Sequence, residues 1–268
     1  LGGFPDLKQL PLQRHKVDMD AEKKTTVSFI KNLLVARWRS LLLLFLGVYL
    51  PLQIFQILAA QVWQYQTGFP WDVPILLAVH STANPQLDTL AVVLTKLGSF
   101  WTVLPILITI ALILLWQKRW RSLVYLLITA LGSAFINRTA KELWHRLRPD
   151  LWKSLAPELD FAFPSGHAMT STTLAIILLI LAWQSSWRWV VWIFGSLYIL
   201  TIAWTRLYLG VHFPSDILAG WMVAIAWGTG VSMIIKPHLV KTVPIPGVQP
   251  AAETTLLPEE QEKLAANE

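Results

Sequence analysis

Uncharged hydrophobic runs recur along the chain at residues 41–62, 97–116, 122–138, 168–187, 189–205 and 217–235. A helix needs about 20 apolar residues to cross a hydrocarbon core, so the pattern predicts an all-α membrane protein of six transmembrane helices. The third and fifth runs are short as uncharged stretches. Their helices are expected to continue past Arg138 and Arg206, whose long side chains would reach the interface. Pro51 and Pro105 fall inside the first two runs, where membrane helices accommodate proline as a kink. Residues 71–96, between those runs, are too broken to span. There Asn84-Pro85 reads as an N-cap with proline in the first turn, and the pattern after it suits a helix lying in the interface. Three parts result: a basic segment 1–39 with a short interfacial helix expected near 26–38, a transmembrane domain 40–236, and a tail 237–268. Pro244, Pro246, Pro250, Pro258 and an acidic end predict disorder in the tail.

Composition agrees with the pattern. The chain is 54% hydrophobic and 14% charged, with mean hydropathy +0.51, which excludes an ordinary soluble domain. Fifteen tryptophans favour the headgroup region of a bilayer. The absence of cysteine excludes disulfides, thiolate catalysis and Cys-type zinc sites. The formal charge of +6 lies outside the hydrophobic runs, as suits an anionic leaflet; the partner it indicates is a lipid bilayer rather than nucleic acid.

Eight lysines and arginines precede the first run, including Lys23, Lys24, Arg37 and Arg39. With Lys118, Arg119, Arg121, Arg188, Lys236 and Lys241 they share one face if six helices alternate, which predicts cytoplasmic termini. The opposite, extracytoplasmic face holds Lys96, Arg138, Lys141, Arg146, Arg148, Lys153 and Arg206. The first run begins too late and is too long for a cleavable signal peptide. A start at Leu1 rather than methionine suggests processing or a boundary introduced when the chain was prepared.

Polar clusters interrupt this apolar background at the ends of the runs. Lys141 and Arg148 are seven residues apart, about 10 Å along one helix face. Pro149 disfavours helix at Arg148, so that arginine belongs where helix gives way to loop. Both read either as interfacial anchors, the reading given to Arg146 and Lys153, or as a clamp for an anion. In Pro164-Ser165-Gly166-His167, Ser165 is a plausible N-cap, Gly166 permits close backbone approach, and free amides at a helix start bind anions. A capped helix with an incidental histidine is the alternative. His212 and Asp216 are four apart; the carboxylate can accept from one imidazole nitrogen and leave the other as nucleophile or base. It can equally be a dipole-favoured helix start beside an interfacial histidine. Arg206, after Thr205, either snorkels or forks onto phosphate oxygens. His145 reads as an interfacial histidine, His80, Glu158 and Asp160 as loop residues with the two acids near an entrance, and Tyr208 as an aromatic-belt residue.

The order and spacing Lys-x6-Arg-Pro, Pro-Ser-Gly-His and Thr-Arg-x5-His-x3-Asp resemble the three signature motifs of the type 2 phosphatidic acid phosphatase (PAP2) superfamily. The resemblance extends to the six-run layout and to Asn84-Pro85-x-Leu87-Asp88 through Thr95-Lys96-Leu97-Gly98. Thr205 stands where serine is usual and keeps the hydroxyl. Asp150 follows Arg148-Pro149 where many members carry a second Arg-Pro, which bears on headgroup preference.

The resemblance implies a PAP2-type helical bundle and a hydrolase acting on phosphoric ester or pyrophosphate bonds. It implies that His212 attacks phosphorus to form a phosphohistidine, Asp216 orients it, and His167 protonates the leaving oxygen and then activates water. Lys141, Arg148, Arg206, Ser165 and the Gly166 amide would hold the phosphoryl oxygens. Three fixed cations would neutralise the transferring group without metal or other cofactor. His212 would rest neutral and His167 protonated. The implied partner is a lipid phosphate at the extracytoplasmic face of a bacterial inner membrane: phosphatidate first, undecaprenyl diphosphate or phosphatidylglycerol phosphate as alternatives. A non-catalytic membrane binder would lack one of these histidines or arginines. A soluble vanadate haloperoxidase, with a similar site, would lack the apolar runs.

Overall fold

A computed structural model describes residues 37–66 and 68–237. The helix expected at 26–38 lies outside the described residues except for its last two positions, as do most of segment 1–39 and all but Pro237 of the tail. Every regular element among the described residues is helical: α1 Arg37–Tyr65, α2 Asp72–His80, α3 Pro85–Thr95, α4 Phe100–Trp116, α5 Trp120–Trp144, α6 Gly166–Leu181, α7 Arg188–Tyr208 and α8 Pro214–Ile235.

Each of the six hydrophobic runs is helical over most of its length, and α5 and α7 continue past Arg138 and Arg206 as expected. Length and apolarity alone qualify four helices (α1, α5, α7, α8) as spans, or five when α3 and α4, bent 41° at Ser99, count as one broken span. α6 has 16 residues, about 24 Å at 1.5 Å per residue, short of a ~30 Å hydrocarbon core. It is the central helix. It packs most extensively on α7 and α8 and also meets α4 and α5, burying small residues such as Ala168, Ser171, Thr172 and Ala175.

The outer surface is the reverse of a soluble protein's. Trp63, Trp101, Trp116, Trp120, Trp187 and Trp189 are exposed, with leucines and isoleucines along most helices. So much contiguous apolar surface is stable only against lipid. The chain is an integral membrane protein.

Proline is accommodated in α1 by a widened turn at Phe45–Tyr49, where the Leu50 amide bonds to the Phe45 carbonyl. That π-type turn precedes Pro51, whose ring would crowd a regular helix. Between α1 and α4, the Asn84 side chain accepts from the Leu87 amide at 3.0 Å and Pro85 opens α3, the N-cap anticipated. Two sequence expectations are corrected here. Tyr208 is buried, not a belt residue: its hydroxyl donates to Asp88 at 2.7 Å and accepts from the Asn84 amide at 3.2 Å, tying α7 to the start of α3. His80 closes α2 rather than lying in a loop, and stacks on Trp152 with centroids 3.8 Å apart.

Candidate active site

The motif residues converge from four places: the end of α5 with the loop after it, the start of α6, the end of α7, and the turn into α8. Lys141 sits in the last turn of α5 and is buried. His145, itself exposed, ends α5 in a left-handed conformation (φ 47°) and turns the chain sharply. The next residues carry no regular secondary structure, and their side chains alternate: Leu147 points out, 77% exposed, while Arg146 and Arg148 both turn inward. The same alternation recurs at Glu158-Leu159-Asp160, where Leu159 is fully exposed and both acids meet the site's cations.

His212 lies in the turn before α8 and is wholly buried. Arg148 Nη1 approaches its Nε2 at 3.0 Å while donating to the Val211 carbonyl at 2.7 Å. Guanidinium can only donate, so Nε2 accepts and the ring proton lies on Nδ1. Nδ1 faces Asp216 Oδ2 at 3.6 Å, long for a hydrogen bond but on the correct side to orient the ring. Burial, with help from Arg148 and Arg206 and against the pull of Asp216 and Glu158, holds the His212 imidazole below its ordinary pKa, so it is neutral. Asp216 is placed by its helix: in the first turn of α8 it also accepts from the Phe213 amide at 2.8 Å.

Glu158 stands in the middle. Its Oε1 is bonded to Arg206 Nη2 and lies 3.4 Å from His167 Nδ1. Its Oε2 lies 2.7 Å from Arg148 Nη2 and 3.7 Å from His212 Nε2. Burial and the Arg206 guanidinium push the His167 imidazole down to about 3 against the pull of Glu158, which corrects the expectation that it rests protonated. Lys141 pairs with Asp160 at 2.7 Å, and Arg148 bonds to Asp160 as well. Burial opposes ionisation of both acids. Even so, the Arg206 and Arg148 guanidiniums hold the Glu158 carboxyl well below the usual carboxylate range, and Lys141 and Arg148 do the same for Asp160. Arg206 does not snorkel. It is buried and its Nη1 donates to Thr95 at 2.8 Å, whereas the Thr205 hydroxyl turns back to the Ile202 carbonyl at 2.7 Å. Ser165 caps α6 through the Ala168 amide at 3.4 Å, with its own amide on the Asp216 carbonyl at 3.0 Å. Gly166 borders a cavity of about 350 Å³ together with Lys141, Glu158 and His167. The structure thus gathers Arg148, His167, Arg206 and His212 around the Glu158 carboxylate, with Lys141 beside them on Asp160, Asp216 behind His212 and Gly166 at the rim. The Ser165 hydroxyl is engaged in its cap.

Reading Arg146 as an interfacial anchor is incorrect. It is fully buried, bonded to Asp216 Oδ1, to Ser215 Oγ at 2.8 Å and to Asp72 Oδ2 at 3.1 Å, with its guanidinium 4.3 Å from the centre of the Phe213 ring. Glu158 and Asp160 were placed near an entrance and prove central to the ion pairing. The available signal was the residue-on, residue-off spacing of both charge pairs, Arg146-x-Arg148 and Glu158-x-Asp160, in loops bounded by proline.

With that geometry in place, likeness to known proteins decides the family. Residues 122–238 match the model of the PAP2 superfamily. The chain is 33% identical over 197 residues to the lipid A 4'-phosphatase of Bacteroides thetaiotaomicron, covering 66% of this chain and 83% of that protein. The chain belongs to the PAP2 superfamily. Another PAP2 relative is the undecaprenyl-diphosphatase of Sulfolobus acidocaldarius, 28% identical over 171 residues, covering 62% of this chain and 79% of that protein. Among solved structures, a transmembrane PAP2-type phosphatidylglycerolphosphate phosphatase from Bacillus subtilis superposes with TM-score 0.63 at 27% identity, covering 73% of this chain and all of that one.

Proposed function

We propose that this PAP2 protein is a membrane lipid phosphatase working through a phosphohistidine. The observation that carries the reading is the environment of Glu158: one anion held by two guanidiniums, with a different imidazole on each of its oxygens. A phosphoryl group in that position meets a nucleophile, an acid and a clamp together.

His167 takes up a proton as the phosphoryl dianion enters beside it; His212 Nε2 then attacks phosphorus, a P–N bond forms, and the bond to the lipid oxygen breaks as His167 gives that oxygen its proton. Asp216 steadies the positive charge that develops on the His212 ring. Water then loses a proton to His167 and attacks the phosphohistidine. Breaking the P–N bond releases inorganic phosphate and restores His212. Lys141, Arg148, Arg206 and the Gly166 amide neutralise and hold the equatorial oxygens, with Ser165 positioning that amide through its helix cap.

The cavity of about 350 Å³ supports a lipid rather than a soluble substrate: its far wall is apolar, with Phe100, Val103, Leu104, Leu107 and Leu131 from α4 and α5. A phosphomonoester of the phosphatidate type fits the single clamp. A polyprenyl diphosphate is the second reading, favoured by the likeness to an undecaprenyl-diphosphatase. The lysine and arginine bias supports six crossings, cytoplasmic termini and an extracytoplasmic site. Detergent-purified protein is expected to release phosphate from phosphatidate, phosphatidylglycerol phosphate or undecaprenyl diphosphate with EDTA present, and His212→Ala to abolish release. Full activity in His212→Ala overturns the mechanism.

A further inference from the structure

Behind His212 lies a second set of charged groups to which the proposed chemistry assigns no role. Asp72, from the first turn of α2, is completely buried. Its Oδ1 accepts from the Ser215 amide at 2.9 Å; its Oδ2 accepts from Ser215 Oγ at 2.6 Å, the Phe69 amide at 2.9 Å and Arg146 Nη2 at 3.1 Å. Arg146 spans the gap between Asp72 and Asp216 with two different nitrogens of one fork. The backbone makes room for this: a Cβ at Gly68, where φ is +86°, would stand 2.1 Å from Arg146 Nη2 and 2.5 Å from Asp72 Oδ2. None of Asp72, Arg146 or Ser215 borders the cavity beside the motif residues.

We propose that Asp72 and Arg146 are positioning residues: they set the orientation and the effective charge of Asp216, and through it the reactivity of His212. A carboxylate that oriented an imidazole with nothing on its other oxygen would be free to rotate. Arg146 takes that oxygen, and Oδ2 is left to the Phe213 amide and His212. A lone buried guanidinium would also cancel the charge that Asp216 must present to the developing imidazolium. Asp72 restores it, because two carboxylates and one guanidinium leave one net negative charge behind His212. The groups facing His212 from elsewhere are Glu158 and Arg148 from the loops, Arg206 from α7 and His167 from α6. None contacts Asp72.

This inference rests on the phosphatase reading and is tested apart from it. Wild type and His212→Ala establish whether the reading stands. Given an active wild type, Asp72→Asn keeps the size and one of the two acceptor oxygens but removes a negative charge, so His212 should protonate less readily. The acid limb of the kcat/KM profile is expected to move down by roughly half a pH unit or more, with kcat about tenfold lower and KM within about threefold. The double variant Asp72→Asn/Arg146→Gln removes both opposite charges and returns the count to Asp216 alone. Its acid limb is expected to return to the wild-type position while kcat stays low. If Asp72→Asn does not fold, the double variant decides: low kcat at wild-type KM and acid limb supports the role. Folded variants with wild-type kcat and an unmoved limb, altered only in thermal stability, overturn it.

Discussion

On the proposed mechanism Glu158 occupies the place a phosphoryl group would take, so substrate has to displace it, and removing its charge should tighten anion binding. The displaced contacts are those to Arg206 and Arg148, each a charge-assisted bond worth about 1.5–3 kcal/mol when fully shielded. Glu158 is 25% exposed, and solvent screening lowers the pair of contacts together to about 2–3 kcal/mol. Glutamine keeps neutral hydrogen bonds of roughly half that strength. Glu158→Gln is therefore expected to bind a phosphoryl mimic about 1–1.5 kcal/mol more tightly, on the order of tenfold. The assay is inhibition by orthovanadate in mixed micelles, with the shift in melting temperature on adding vanadate as a measure independent of turnover. An inhibition constant that is unchanged or weaker in Glu158→Gln refutes the displacement argument, whatever happens to kcat.

Because burial holds His212 below its ordinary imidazole value of about 6.5, and the nucleophile must be unprotonated, activity persists as pH falls until it crosses that lowered value. A kcat/KM profile whose acid limb lies at or above pH ~7 contradicts this. Gly220→Ala places a Cβ 2.9 Å from the Ser165 carbonyl and 3.3 Å from the Met169 amide; backbone cannot give way cheaply, so about 1–3 kcal/mol of stability should be lost, read as a lower melting temperature in detergent. Tyr208→Phe removes the hydroxyl bond to Asp88 and should lower stability by about 1 kcal/mol, with the vanadate inhibition constant unchanged because the hydroxyl bonds to Asn84 and Asp88 rather than to a cation or histidine of the site.

The helices were readable because the apolar runs report directly on a lipid solvent, and the helix starts at Asn84 and Ser165 because capping is local chemistry. The motif residues were readable because each cluster sits at a helix boundary and keeps its spacing. Arg146 was not, since its partners are 70 and 74 residues away in sequence and nothing local distinguishes it from the interfacial cation its neighbours suggest. Glu158 fails for the same reason: an acid in a loop is ordinarily solvated, and only the fold brings four cationic or imidazole groups to it. α6 misled in the other direction. Its expected run extended to residue 187, but the helix stops at Leu181, before the Gln184-Ser185-Ser186 turn.

The charges also divide by how freely they can move. Lys141, Arg146, Arg148 and Arg206 face Asp72, Glu158, Asp160 and Asp216, four against four. Asp72 and Asp216 are fully buried and bonded to backbone amides, so both carboxyls are fixed in place behind His212. Glu158 and Asp160 lie in a loop and are 25% and 46% exposed, so their charge can leave. A phosphomonoester dianion entering a balanced, desolvated site adds about two negative charges, and the buried pair cannot compensate. On the proposed mechanism, release of the loop carboxylates would free Arg148, Arg206 and Lys141 for the phosphoryl oxygens at the moment they are needed. Until then the same carboxylates spare the site three unpaired buried cations, which would be strongly destabilising.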